Sequence, residues 1–243
     1  MSKMVPNPAS SDLGTAGGAR VVRMEMGQDS ARARADLVFV IDTTGSMNDK
    51  IDGLIESCQS FVDRLATKRI DWAAAVVGFG DLTIEGDRIV ATPFSSSTER
   101  VKALLSGLPR NSGGDNEGES SLEALQAALN QPGYRPDAMK VVVLITDEPA
   151  LQKQLRAATI TGKLCEAGVI AFVLSPNIRY FRAMANDTGG HWWKVESGGD
   201  FSKILAIFDK IAAQVASTVA AVHQLTGGDV KEFLSLPPSR REE

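Results

Sequence analysis

Two rhythms of apolar and polar residues alternate along the chain. Asp36–Ile41 (DLVFVI), Trp72–Phe79 (WAAAVVGF), Lys140–Thr146 (KVVVLIT) and Val169–Leu174 are near-continuous apolar runs, as expected of strands buried on both faces. Between the first two, Ile51, Ile55, Cys58, Val62 and Leu65 recur at the spacing of one helix face. Helices are also predicted over Val101–Leu108, Ser120–Leu129, Leu151–Ala167 and Ile178–Asn186, and from Asp200, a candidate N-cap, to about His223. Arg88–Thr92, between Gly86 and Pro93, predicts a short edge strand reached by a hairpin, and His191–Val195 a last strand. Alternating strands and helices with apolar strands predict an α/β fold: a Rossmann-like, doubly wound, mostly parallel sheet with one antiparallel edge strand and helices on both faces.

The periodic region is flanked by segments of different composition. Residues 1–34 are rich in Gly, Ala, Ser and Arg without apolar periodicity and read as a flexible arm, with a short edge strand at Ala19–Met26 as its one candidate element. Residues 35–223 form the expected domain, and residues 224–243, with Gly-Gly, Pro-Pro and a charged end, read as a tail.

In doubly wound sheets ligands gather at the carboxyl ends of the strands. The first strand runs into Asp42-Thr43-Thr44-Gly45-Ser46, a mid-chain loop reads Ser112-Gly113-Gly114-Asp115-Asn116-Glu117, and the third strong strand ends in Thr146-Asp147-Glu148. Three loops far apart in sequence thus bring carboxylates and hydroxyls toward one edge of the sheet. All are hard oxygen donors, which suit Mg²⁺, Mn²⁺ or Ca²⁺ and disfavour copper or Zn²⁺.

These segments, VFVIDTTGSM, GGDNEGESSLEAL and VVVLITDEP, resemble the metal-ion-dependent adhesion site (MIDAS) of von Willebrand factor A domains, and FRAMANDTGGHWWKV is similar to the family's late helix–Gly-Gly–strand segment. The resemblance spans about Ala35 to Ala216 and implies a metal site at Asp42, Thr44, Ser46, Asp115 and Asp147. The hydroxyls would bind directly and Asp42 through water, with Mg²⁺ the expected cation. Asp115 stands where adhesion-type members carry Thr, and Gly-Gly-Asp is a variant met among intracellular members. It adds negative charge, which favours cation holding and weakens the pull on an incoming anion. The alternative reading of Asp115, the weaker of the two, is a cap on the helix that starts nearby. The resemblance further implies a non-enzymatic binding module whose metal grips an Asp or Glu of another protein. Kinds of partner met among intracellular members include AAA ATPases, protein kinases and metal-stress components. In the family, rearrangement at the metal can move the last helix.

Other acidic residues read as structural. Glu117, Glu119 and Glu148 are expected to face solvent. Asp81 fits a turn or a place beside the site, and Asp49 and Asp52 the positive end of the first helix. His191 is expected at the surface on the opposite rim, with Trp192 and Trp193 split between core and solvent. Cys58 and Cys165, the only cysteines, read as reduced thiols on helices.

Composition narrows the functions. A hydrophobic share of 43% supports a sizeable core, and a formal charge of −4 without a basic block argues against nucleic acid. With neither a signal-type run nor a membrane-length apolar segment, no membrane partner and a cytoplasmic location are expected. Two alternatives remain: a metal-dependent phosphohydrolase, which would need a second carboxylate where Thr44 stands, and a metal-free scaffold.

Overall fold

The computed structural model describes residues 33–48, 51–67, 70–114, 118–195, 202–237 and 240. Six strands, β1 (Arg34–Asp42), β2 (Asp71–Phe79), β3 (Val90–Ala91), β4 (Met139–Ile145), β5 (Val169–Ser175) and β6 (Trp192–Lys194), form one sheet in the order β3-β2-β1-β4-β5-β6. All neighbours are parallel except β3, which runs antiparallel to β2. The expected mixed sheet with its antiparallel edge strand is therefore present.

Seven helices are described: α1 (Ile51–Thr67), α2 (Thr98–Ser106), α3 (Ser121–Leu129), α4 (Ala157–Glu166), α5 (Arg179–Asp187), α6 (Ser202–Thr226) and α7 (Val230–Ser235). Because successive strand side chains point to opposite faces, the apolar runs feed two cores at once. Leu37, Phe39 and Ile41 of β1 pack with Phe61 of α1, Leu105 of α2 and Val219 of α6. Val38 and Val40 pack on the other face with Leu125 of α3, Ile160 of α4 and Phe181 of α5. Both faces of β1 are covered by helices, which is why the strand reads as an unbroken apolar run.

Several boundaries differ from the sequence reading. The helix expected from Leu151 begins only at Ala157. Leu151 N–H is bonded to Glu119 O, which holds the chain extended there, and Gln152 Oε1 accepts from Ala157 N–H at the helix start. The stretch after residue 223 is more than a tail. Helix α6 continues to Thr226, and α7 follows with Asp229 as its N-cap, accepting from Lys231 and Glu232 N–H at 2.9 and 3.0 Å. Val230 and Phe233 of α7 are buried in the α1/α6 core. The Asp229-x-x-Glu232 spacing is a helix-start signal that the neighbouring Gly-Gly and Pro-Pro pairs masked. The N-terminal arm, the Ala19–Met26 strand and the Asp200 cap lie outside the described residues.

At the opposite rim from the candidate site, Asp36 is fully buried at the start of β1. Arg135, in the loop before β4, donates to it from Nε at 2.8 Å and from its backbone N–H at 2.6 Å. Its guanidinium also reaches Asp71 Oδ1 at 2.8 Å and Asp71 O at 3.0 Å, tying β1 and β2 together at their origin. Trp192 and Trp193 differ from expectation. Both are half-buried, Trp193 stacking on Phe172 and Trp192 donating to Ser175 Oγ at 2.9 Å, so each leans on a different core. Cys58 and Cys165 are free thiols, and burial pushes the Cys58 thiol up. Among the described residues no helix is long and apolar enough to cross a membrane.

Candidate metal centre

The sheet reverses its winding between β1 and β4: the chain moves outward from β1 through β2 to β3, then returns to place β4 on the other side of β1. Loops leaving adjacent strand ends at such a point diverge and open a crevice. Asp42 ends β1, and Thr146-Asp147 follow β4 directly across from it.

Inside this crevice the oxygens are linked in a chain. Asp42 Oδ1 accepts from Thr44 N–H at 3.0 Å and from Thr44 Oγ1 at 2.6 Å. Thr44 Oγ1 and Ser46 Oγ lie 3.2 Å apart, and Ser46 Oγ donates to Asp147 Oδ1 at 3.0 Å. Thr44 stands at the N-cap of a single 3₁₀ turn, Gly45–Met47, yet its side chain makes no capping bond, because the hydroxyl is engaged by the site. Asp42, Thr44 and Asp147 are buried, and Ser46 is exposed, so the cluster opens to solvent at Ser46.

Each hydroxyl carries one proton. With both carboxylates ionised, Thr44 gives its proton to Asp42 and Ser46 gives its proton to Asp147. The Thr44–Ser46 contact then has no proton of its own, and the two hydroxyls face each other with lone pairs. A hard cation is the partner that such a pair of lone pairs, flanked by two carboxylates, suits best.

The first loop is braced from below. Asn111 N–H donates to Thr43 O at 2.8 Å, Asn111 Nδ2 to Thr43 Oγ1 at 2.9 Å, and Gly45 N–H to Ser112 O at 3.1 Å. A Cβ on Gly45 would stand 2.7 Å from Ser112 O, so only glycine lets the two loops meet there. Asp87 braces the second loop, accepting from Ser112 N–H at 2.7 Å, Gly113 N–H at 2.8 Å and Asp81 N–H at 3.1 Å. Asp87→Asn cannot accept all three and is expected to cost about 2 kcal/mol, the worth of one charge-assisted hydrogen bond with its desolvated partner. Urea unfolding checks this, and an unchanged midpoint would refute the bracing role.

Of the five residues predicted for the site, Asp42, Thr44, Ser46 and Asp147 come together, and Asp115 lies outside the described residues. Thr146 was not among them. Its buried Oγ1 donates to Asp42 Oδ2 at 2.8 Å and accepts from Glu148 N–H at 3.2 Å, orienting the carboxylate. The signal was its place beside Asp147 at a strand end. Asp87 and Asn111 had no comparable signal, since both act from loops without a repeating pattern. Asp81 is in a turn, as one of its two readings held: its carboxylate accepts from Thr83 N–H at 2.8 Å.

Glu119 corrects the expectation that it faces solvent: only 5% of it is exposed. Its backbone bridges two site loops, with Glu119 N–H donating to Pro149 O and Leu151 N–H to Glu119 O, both at 2.8 Å, so the side chain has no outward path. Burial pushes its carboxyl up to about 9, and the charges of Asp42, Asp81, Asp87 and Glu148 push the same way. Asp42 is pushed up to about 6, chiefly by burial; hydrogen bonds from Thr44 and Thr146 oppose the shift and the Asp147 charge adds to it. Among the described residues no three His, Cys, Asp or Glu side chains group closely enough to chelate one ion by themselves. A donor set drawn from the described residues would therefore need the hydroxyls.

The sequence model of the von Willebrand factor type A domain matches residues 36–206, most of the chain. This chain belongs to the von Willebrand factor type A (VWA) family. The VWA fold is seen again in solved structures. A von Willebrand factor type A protein from Catenulispora acidiphila superposes with a TM-score of 0.59 at 20% identity, covering 76% of this chain and 43% of that one. Proximal thread matrix protein 1 of the mussel byssus, with a zinc-occupied MIDAS motif, gives 0.58 at 19% identity over 76% of this chain and 46% of that one. The pilus adhesin SpaC of Lactobacillus rhamnosus GG gives 0.55 at 13% identity over 76% and 30%. A curated relative, the alpha-protein kinase vwkA of Dictyostelium discoideum, is 25% identical over 116 residues. That match takes in 47% of this chain and 18% of the kinase, so this VWA chain matches only a small part of that protein.

Proposed function

We propose that this VWA domain holds a divalent cation, Mg²⁺ in the first place, at Asp42, Thr44, Ser46, Asp115 and Asp147, and presents it to a carboxylate of another protein. The observation that supports this most strongly is the facing pair of Thr44 and Ser46 hydroxyls, 3.2 Å apart, between two buried carboxylates. Thr44 and Ser46 would bind the ion directly. Asp42, Asp115 and Asp147 would supply charge directly or through water, and the position beside exposed Ser46 would be left for the incoming oxygen. VWA domains form a family of protein-interaction modules, which supports a binding role without turnover. Hydrolysis of p-nitrophenyl phosphate with Mg²⁺ should be absent, since a hydroxyl, Thr44, stands where a phosphohydrolase needs its second carboxylate. Kinase, AAA ATPase or metal-stress components inside the cell are the partner classes proposed.

The test has two stages. Calorimetric titration with Mg²⁺ should give one site, weakened by on the order of 100-fold in Asp147→Ala, at the upper end of what loss of a metal-supporting group costs. A Glu-bearing peptide should then shift the amide signals of Thr44 and Ser46 only when Mg²⁺ is present. Peptide binding that ignores the cation would exclude carboxylate capture, and no binding of Mg²⁺, Mn²⁺ or Ca²⁺ at millimolar concentration would exclude the metal site.

A further inference from the structure

Within the same crevice, Glu119 carries an oxygen without a partner. Its Oε2 is buried and makes no hydrogen bond, and the side chain is 95% removed from solvent by the exposure of 5%. The charged groups that act on it are Asp42, Asp81, Asp87 and Glu148, all carboxylates. A buried polar oxygen without a partner destabilises the fold, and a buried carboxyl among like charges does so more. Native proteins rarely tolerate such a group unless something else completes it.

A Cβ placed on Gly113 would stand 3.1 Å from Glu119 Oε1 and also 3.1 Å from Thr44 Cβ. The carboxylate therefore lies beside the Thr44 side chain, and Gly113, at φ +69°, is the residue whose missing side chain leaves room for the approach. The Glu119 backbone is fastened to Pro149 and Leu151, just beyond Asp147, so the acid is carried on a bridge between the two loops that frame the crevice.

We propose that Glu119 is a further residue of the cation site, acting through water: its carboxylate accepts a hydrogen bond from a water bound to the ion held at Asp42, Thr44, Ser46 and Asp147. Mg²⁺ keeps several waters when it binds few protein ligands, and these waters need acceptors. A buried carboxylate fixed between two loops is such an acceptor. The ion in turn brings the positive charge that the surrounding carboxylates lack.

This inference rests on the proposed metal site, and the experiment separates the two. Mn²⁺ is titrated into the wild-type protein, Glu119→Gln and Glu119→Asp, with thermal unfolding followed in the presence and absence of the ion. Glu119→Gln keeps shape and volume and is expected to weaken Mn²⁺ binding about 10-fold or more, as loss of an outer-shell partner does. Its metal-free form should melt close to wild type, since the amide keeps the shape and volume of the carboxyl, while the Mn²⁺-induced rise in melting temperature shrinks. Glu119→Asp, which retains the charge on a shorter arm, should fall between the two in affinity. Wild-type and Glu119→Gln proteins of equal Mn²⁺ affinity would overturn the role of Glu119 and leave the metal site standing. A wild-type protein that binds no Mn²⁺ would overturn the site itself.

Discussion

Stripped of divalent cations, the wild-type protein is expected to gain about 2 kcal/mol of stability over Asp42→Asn when the pH is lowered from 7 to 4, most of what a shift of about two pH units at Asp42 supplies. The sign follows from burial. The folded state lifts the Asp42 carboxyl from 3.8 to about 6, so between these values the folded protein binds more protons than the unfolded chain, and stability rises as pH falls. Glu119, pushed up to about 9, acts in the same direction at higher pH; the Asp42 charge adds to that shift, so the comparison reads Asp42 together with its coupling to Glu119. Saturating Mg²⁺ should reverse the trend. At 100 times the dissociation constant it adds about 2.7 kcal/mol near pH 7, and this gain fades on acidification because the ion binds the carboxylates only when they are ionised. Urea unfolding at fixed pH values, with chelator and with Mg²⁺, measures both arms. A stability difference between wild type and Asp42→Asn that is the same at pH 4 and pH 7 would exclude the linkage.

The largest effect on folding alone is expected far from the site, at Arg135. Asp36 has no exposed surface, and the Arg135 guanidinium is its ion-pair partner at 2.8 Å. Removing one member of a buried pair costs about 3–5 kcal/mol, because the other charge is left in place without compensation. Arg135→Ala keeps the backbone N–H that donates to Asp36 Oδ2, so a loss near 3 kcal/mol is expected. The hydrogen bond from Arg135 also holds the Asp71 carboxyl below its usual range, and that contribution disappears with it. Replacing both partners, as Asp36→Leu with Arg135→Met, should recover much of the loss, since apolar groups fill such a site without stranded charge. Urea midpoints at constant slope report these differences. If Arg135→Ala unfolds within 1 kcal/mol of wild type, about the worth of an exposed pair, the clamp is a surface feature.

What could be read from the residues, and what could not, follows from the range of each interaction. The strands were legible because burial on both faces leaves continuous apolar runs, and the two cores along β1 realise that pattern directly. Asp42, Thr44, Ser46 and Asp147 were legible because they sit where strands end and are spaced by local geometry. Thr146 was half-legible, named by position and given a role only by its bond to Asp42. Glu119 was misread. A glutamate in a Gly-rich loop reads as solvated, and its burial depends on a backbone bridge to Pro149 and Leu151 about 30 residues later. Asp87 and Asn111 were illegible for a related reason: their partners are backbone groups of another loop, and no periodicity marks such contacts. The α7 helix was hidden by the glycines and prolines that flank it, although its cap and the Val230/Phe233 pair were present in the local pattern.

The location of the cation is tested most directly by paramagnetic broadening of amide signals with substoichiometric Mn²⁺. Signals from Thr43 to Ser46, Ser112 and Gly113, and Thr146 to Glu148 should vanish first and return on addition of excess Mg²⁺. Broadening confined to exposed acids elsewhere, such as Asp52 and Asp63, or none at all, would contradict a metal centre at the ends of β1 and β4.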